Sequence, residues 1–295
     1  MPAAPSSLTV ASFNLHAGID GWGRPFDVVA ACRDLDADIL VLQETWTPDE
    51  PPVGTGPNGA PAGAASATAI GAELGYAVVE HPLAHGRRAG PHPRADHRWM
   101  RPFDWRGSSH AIYLDDNRPL GPRVTRSARF EAAQPGGWGL AVLSRRPVLG
   151  ERLIELPTLS RDPSTRAAIV LRVAVGEPSH QGGQAVTVAG THMSHLSYGS
   201  PRHFRRLRQL LEVEVGDGPA VLAGDMNLWG PPVSMLFGGW HRAVRAPTWP
   251  AWRPHSQVDH ILVRGPVTVV DGQARPMAGS DHRPVRVELA VGRAG

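Results

Sequence analysis

The chain has 295 residues, 41% apolar and 19% charged, which is enough for one large domain with a sizeable core and excludes a small disulfide-stapled module. Its apolar runs, such as DILVLQ, are far too short to cross a bilayer, and MPAAPSSLTV has neither the basic nor the apolar stretch of a secretory leader. The formal net charge is +3, every one of the 30 basic residues is Arg, and Cys32 is the lone cysteine; no intrachain disulfide or multi-cysteine zinc site can form, and a cytoplasmic location is expected.

LTVASFN alternates as a half-buried strand. RPFDVVAACRDL follows with Phe26, Val29, Ala30 and Arg33 at helical spacing and Cys32 as a buried thiol, and DILVLQE then reads as a buried strand. Residues 48–64 are loop, AASATAIGAEL is helix, and YAVVEHP is a short strand. From Trp138 onward LAVLS, ERLIELP, AAIVLRVAV and AVTVAGTH are short strands parted by Gly and Pro. Ser200 and Pro201 cap and open a helix running to about Val215, after which AVLAGDMN, DHILVRG, VTVVDG and PVRVEL add further strands. Many strands with few intervening helices predict an α+β fold of two packed sheets flanked by helices.

No repeat or long linker interrupts the pattern. It predicts residues 1–7 as an N-terminal tail, 8–290 as a single domain, and 291–295 as a C-terminal tail. Within the domain, 81–130 is a basic insertion or loop, in which ten Arg stand against Asp96, Asp104, Asp115 and Asp116, with His81, His85, His92, His97 and His110 interspersed. That composition suits a phosphate-rich partner or a solvated loop equally.

Acids, amides and histidines gather at the strand ends. Asn14 ends the first strand and Glu44 the second, His192 ends AVTVAGTH, Asp225 and Asn227 end AVLAGDMN, and Asp281 and His282 open the last strand. Asp225 and Asn227 point the same way if the extended backbone persists between them. Carboxylates with an amide oxygen and few soft ligands suit a hard cation such as Mg²⁺ better than zinc.

In order, ASFNLHAG, VLQETW, GTHMSH, LAGDMNLW, VDHILV and GSDHRPV resemble the motifs of the endonuclease/exonuclease/phosphatase superfamily. The resemblance runs from about Leu8 to Leu289 and implies a four-layer α/β/β/α sandwich of two mostly antiparallel sheets flanked by helices. It implies a hydrolase of phosphoester bonds with Mg²⁺ or Mn²⁺ as cofactor, held by Glu44 with Asn14 and Asp281 at or near the ion. Asp225 and Asn227 match the pair that positions the attacking water, Asp225 as general base; Asp259 matches the acid that orients His282; His282 and His192 match histidines on the two sides of the phosphate. The sequence departs from many relatives at Leu140, where they have Asn, and lacks an evident glutamate partner for His192.

Arg166 resembles an arginine near the substrate in bacterial members. Arg202, Arg205 and Arg206 share a face of the predicted helix, and Arg206 there, with Trp229 two residues after Asn227, is a candidate substrate contact; Trp46, two after Glu44, is the other cleft tryptophan expected. His260 is expected on the opposite face from Asp259, in a structural role. The substrate is a phosphodiester, nucleic acid first, with a lipid headgroup or inositol phosphate as the alternative and a catalytically silent phosphate-binding module as the third reading.

Overall fold

The computed structural model describes residues 6–50, 65–90, 112–115, 133–162, 164–176, 184–195 and 201–292. The first sheet is built from β1 (Ser6–Asn14), β2 (Ile39–Pro48), β3 (Ala77–Arg88), β4 (Ile112–Leu114), β5 (Gln134–Ser144), β12 (Val267–Ala274) and β13 (Val285–Val291), in the spatial order β12-β13-β1-β2-β5-β3-β4. The second holds β6 (Val148–Glu155), β7 (Ala167–Val175), β8 (Gln184–His192), β9 (Ala220–Asp225), β10 (His241–Arg242) and β11 (Asp259–Arg264), in the order β10-β11-β9-β8-β7-β6. Helices α1 (Val28–Leu35) and α2 (Ala67–Leu74) pack on the first sheet, α3 (Pro201–Val215) and α4 (Gly230–Leu236) on the second. This is the four-layer sandwich expected. None of the helices among the described residues is long and apolar enough to cross a membrane.

Each sheet is antiparallel except for one pair. β1 runs parallel to β2, joined through α1, and β8 runs parallel to β9, joined through α3. Interior strands read as continuous apolar runs because they are covered on both faces: β5 is buried from Trp138 to Ser144 and β9 throughout. The sheets pack closely at Gly190, where an added Cβ would lie 2.5 Å from Val142 and 2.8 Å from Val41. Beneath α3, Phe204, Leu207, Leu211 and Val215 form its buried stripe, each worth roughly 1.5–3 kcal/mol of burial.

Several details differ from the sequence reading. Asp27 caps α1 by accepting the Ala30 N–H at 2.9 Å, so the helix is phased from Val28 and buries Val28, Ala31, Cys32 and Leu35, not the Val29, Ala30 and Arg33 face. Burial pushes the Cys32 thiol up to about 12. β1 starts at Ser6, which pairs with Val291, so the strands run past both expected tail boundaries. β3 is twelve residues long and carries His81 to Arg88 of the basic stretch as strand, and β4 is a second strand within it; His92, His97, His110, Trp99 and Trp105 lie outside the described residues, as does Ser200.

Candidate active site

The carboxyl ends of the two parallel pairs face each other across the sandwich. In the first sheet Asn14 is the last residue of β1. Glu44 does not end β2 but interrupts it: the β2–β5 register shifts between Gln43 and Thr45, and Glu44 sits in that bulge with φ 53°. A bulged residue leaves the ladder and its side chain is re-aimed, here toward Asn14, whose Nδ2 donates to Glu44 Oε1 at 2.9 Å.

In the second sheet His192, Asp225 and Asp259 lie side by side, since His192 pairs with Asp225 and Asp259 with Asp225 in register. Gly224, φ 152°, allows this approach; a Cβ there would stand 1.9 Å from Thr191 O. The extended backbone does not persist to Asn227, which has φ 48°. Its N–H turns back to Asp225 Oδ1 at 2.7 Å, and its Nδ2 reaches Met193 O at 2.9 Å and His192 Nε2 at 3.1 Å. Asn227 therefore joins the site through a turn and not through strand alternation.

The loop before β13 brings the remaining groups; the strand opens at Val285, so Asp281 and His282 precede it. Ser280 Oγ donates to Asn14 O at 2.7 Å and accepts the His282 N–H at 3.2 Å. Asp281 Oδ1 lies 3.4 Å from His16 Nδ1, and its Oδ2 accepts from Trp249 Nε1 at 3.4 Å. His282 Nδ1 stands 3.0 Å from Asp259 Oδ2 and 3.8 Å from Asp225 Oδ2. Neither Ser280 nor Trp249 was singled out in the sequence, although Ser280 sits inside the quoted GSDHRPV.

Burial raises the Asp225 carboxyl, with Asp259 adding to it, to about 7, against the pull of His282 and the two amide donors. Burial opposes the charged form of His282 too, but Asp259, Asp281 and Asp225 outweigh it and hold the ring's proton well above the ordinary range. His192 is the reverse case: burial first, then Arg166 and His282, keep it neutral. Burial works against the Asp281 carboxylate, and His16 and His282 overcome it, lowering its pKa.

Asp225, Asp259 and His282 are the buried group of potential metal ligands among the described residues, their ligand atoms within 4.8 Å of one another. A ring that keeps both protons has no lone pair for an ion, so the hard oxygen donors Glu44 and Asp281 fit a divalent cation better. Asn14 turns its amide nitrogen toward Glu44 and Asp225, while its oxygen accepts the His16 N–H at 3.0 Å; as oriented it bridges carboxylates.

Arg166 is buried behind His192. Its Nε donates to Asp162 Oδ2 at 3.0 Å, its Nη1 to His192 O at 3.4 Å, and its guanidinium lies 5.2 Å from the Trp138 ring. Asp162 also accepts from Ser164 and Ser194, and Ser194 Oγ is 3.0 Å from His203 Nδ1. This buried network passed unseen in the sequence because its members belong to different segments. His260 is buried, bonded to Leu228 O at 2.9 Å and lowered by burial to about 4, as a structural histidine should be. Trp229 is 53% exposed beside the site, Trp46 is fully buried, and Arg206 lies on the exposed face of α3.

The family model described as Endonuclease/Exonuclease/phosphatase family matches residues 11–282. No curated protein matches the chain in sequence. Among solved structures, an endonuclease/exonuclease/phosphatase from Beutenbergia cavernae superposes with a TM-score of 0.58 at 20% identity, over 98% of this chain and 72% of that one. The catalytic domain of human Nocturnin, with bound sulfate, gives 0.60 at 16% identity over 97% and 94%. A truncated Caenorhabditis elegans TDP2 gives 0.52 at 14% identity over 97% and 98%.

Proposed function

Because the chain belongs to the endonuclease/exonuclease/phosphatase family, whose members hydrolyse phosphoester bonds, we propose that it is a Mg²⁺- or Mn²⁺-dependent phosphodiesterase acting on nucleic acid. The observation that carries this reading is the position of Asn14 Nδ2, 2.9 Å from Glu44 and 3.0 Å from Asp225. It sets an oxygen donor suited to a hard cation beside a carboxylate suited to a base.

Glu44 and Asp281 would hold the ion, which when bound screens the phosphate and stabilises charge on the leaving oxygen. Asp225, poised near neutrality, takes the proton of the attacking water; Asn14 and the Asn227 N–H fix its two oxygens. His282 carries a proton and, with Nδ1 turned to Asp259, presents Nε2 to a phosphoryl or leaving oxygen. His192, neutral, accepts from Asn227 Nδ2 at Nε2 and so fixes that amide beside the base, and it is not a proton source. Arg166 supports His192 from behind, while Trp229 and Arg206 would meet the substrate at the rim.

Supercoiled plasmid and bis(4-nitrophenyl) phosphate, each with Mg²⁺, with EDTA, and with Asp225→Asn protein, test the reading. Metal-dependent cleavage of both that is lost in the variant supports a nuclease. Cleavage of the small diester alone moves the substrate to a lipid headgroup or inositol phosphate. Cleavage of neither by folded protein defeats the assignment.

A further inference from the structure

Trp46 in β2 and Trp138 in β5 stand directly opposite each other, so their side chains share one face of the first sheet. Trp138 lies 5.1 Å from His192, which belongs to the second sheet, so that face is turned inward toward the site. The two indoles are 0% and 4% exposed, and neither N–H has an acceptor among the described residues. Buried polar groups of this kind are normally paired, and an unpaired one calls for an explanation. The Nε1 edge of Trp46 overlies Gly136, where an added Cβ would come within 2.7 Å of Cζ2 and 2.8 Å of Cε2.

Arg88 reaches the same place from β3. Its guanidinium is 5.9 Å from the Trp46 ring centroid; Nη1 donates to Ala17 O at 2.8 Å and Nη2 to Gln134 Oε1 at 2.6 Å. Both acceptors are neutral, burial alone lowers its pKa to about 10, and no carboxylate among the described residues pairs with it. The guanidinium has donors to spare. A cation with no carboxylate partner among the described residues therefore lies beside the Trp46 ring, and Trp138, whose N–H is likewise without an acceptor among them, stands opposite that ring across the β2–β5 pair. Trp46 follows Glu44 by two residues, and Trp138 adjoins His192, so the group flanks the reacting centre.

We propose that Arg88, Trp46 and Trp138 form a second anion subsite, which takes a phosphate of the substrate next to the one being hydrolysed. The inference rests on the phosphodiesterase reading and narrows it to substrates with consecutive phosphates, as in a polynucleotide strand. Arg88 supplies the charge and a planar fork; the indole N–H groups supply neutral donors that fix the orientation of the phosphate.

The test compares kcat/KM for dithymidine monophosphate with and without an added terminal phosphate, 5′ or 3′, alongside bis(4-nitrophenyl) phosphate, in the wild type, Arg88→Met and Trp46→Phe. Trp46→Phe keeps an aromatic ring and removes the N–H together with the rest of the indole; any packing loss falls on all substrates alike and is read from the bis(4-nitrophenyl) phosphate rate, so the variant reports even if Arg88→Met folds poorly. The wild type is expected to favour one phosphorylated dinucleotide at least tenfold, Arg88→Met to bring that ratio near one, and Trp46→Phe to lower it severalfold. Equal rates with and without the second phosphate in the wild type overturn the subsite, as does a proportional loss on all substrates in Arg88→Met. Turnover of bis(4-nitrophenyl) phosphate with none of any dinucleotide overturns the subsite and leaves the phosphodiesterase standing. If nothing is turned over, that reading fails, and titration of EDTA-treated protein with the same dinucleotides decides the subsite: tighter binding of a phosphorylated one by the wild type but not by Arg88→Met upholds it, and equal binding overturns it.

Discussion

Asn14 donates from Nδ2 to Asp225 Oδ2 at 3.0 Å, across 211 positions of sequence and from one sheet to the other. The same nitrogen holds Glu44. Asn14→Ala leaves two carboxylates short of a donor, and the loss of a buried hydrogen bond to a charged group costs about 1–3 kcal/mol. Urea unfolding should show that loss, and turnover should fall by about a hundredfold or more as Asp225 loses its orientation.

Removal of the ion's carboxylate should separate binding from folding. Glu44→Gln is expected to retain the wild-type circular dichroism spectrum and to abolish the rise in Tm that Mg²⁺ gives the wild type, a stabilisation of about 2.7 kcal/mol at a hundredfold excess over Kd. A full Mg²⁺-dependent shift in Glu44→Gln would remove Glu44 from the ion's ligands.

Two groups in the site have folded pKa values raised above their unfolded ones, and they act in the same direction. Asp225 contributes stability that is fully present below its unfolded value and is lost as pH rises through about 7. His282 contributes stability that is present below about 6.5 and is lost as pH rises through its raised folded value. His192, His203 and His260, whose folded values lie below their unfolded ones, act the other way and add stability as pH rises through about 6.5. In EDTA the Tm should therefore fall between about pH 7.5 and about pH 9, and His282→Gln should flatten that decline. A Tm that rises over this range in the wild type would contradict the charge arrangement described.

Arg166 and Asp162 form a buried ion pair, 7% and 1% exposed. Arg166→Ala leaves a buried carboxylate with serine donors alone, and breaking such a pair from one side costs about 3–5 kcal/mol. Asp162→Asn placed in the same chain should recover part of that loss, measured by urea unfolding. Since Arg166 also helps keep His192 neutral, the variant's His192 should titrate at higher pH by NMR.

The layers of the fold and the chain positions of the site were readable because each polar group follows a buried apolar run, and strand ends are where such runs surrender to turns. Glu44 and Asn227 lie among the other polar groups, but not in the conformations expected. A bulge and a left-handed residue depend on what the partner strand and the neighbouring carboxylate require, and neither shows in local alternation. The face of α1 was misjudged because its phase is set by the Asp27 cap. Trp46 was expected in the open cleft; its burial arises from its pairing with Trp138, a partner more than ninety residues away. The Asp162, Ser194 and His203 network has no local signature, since hydrogen bonds between distant segments leave no period behind.

The bridge from Asn14 to Asp225, together with the tight passage at Gly190, gives the site no home in either sheet alone. The proposed base, its orienting amide and the carboxylate proposed for the ion come together only when the two halves close face to face, as the two sides of a mould define one casting. A chain divided between the sheets would yield pieces with no fraction of the chemistry, and partial unfolding that parts the faces should extinguish turnover before either sheet loses its strands.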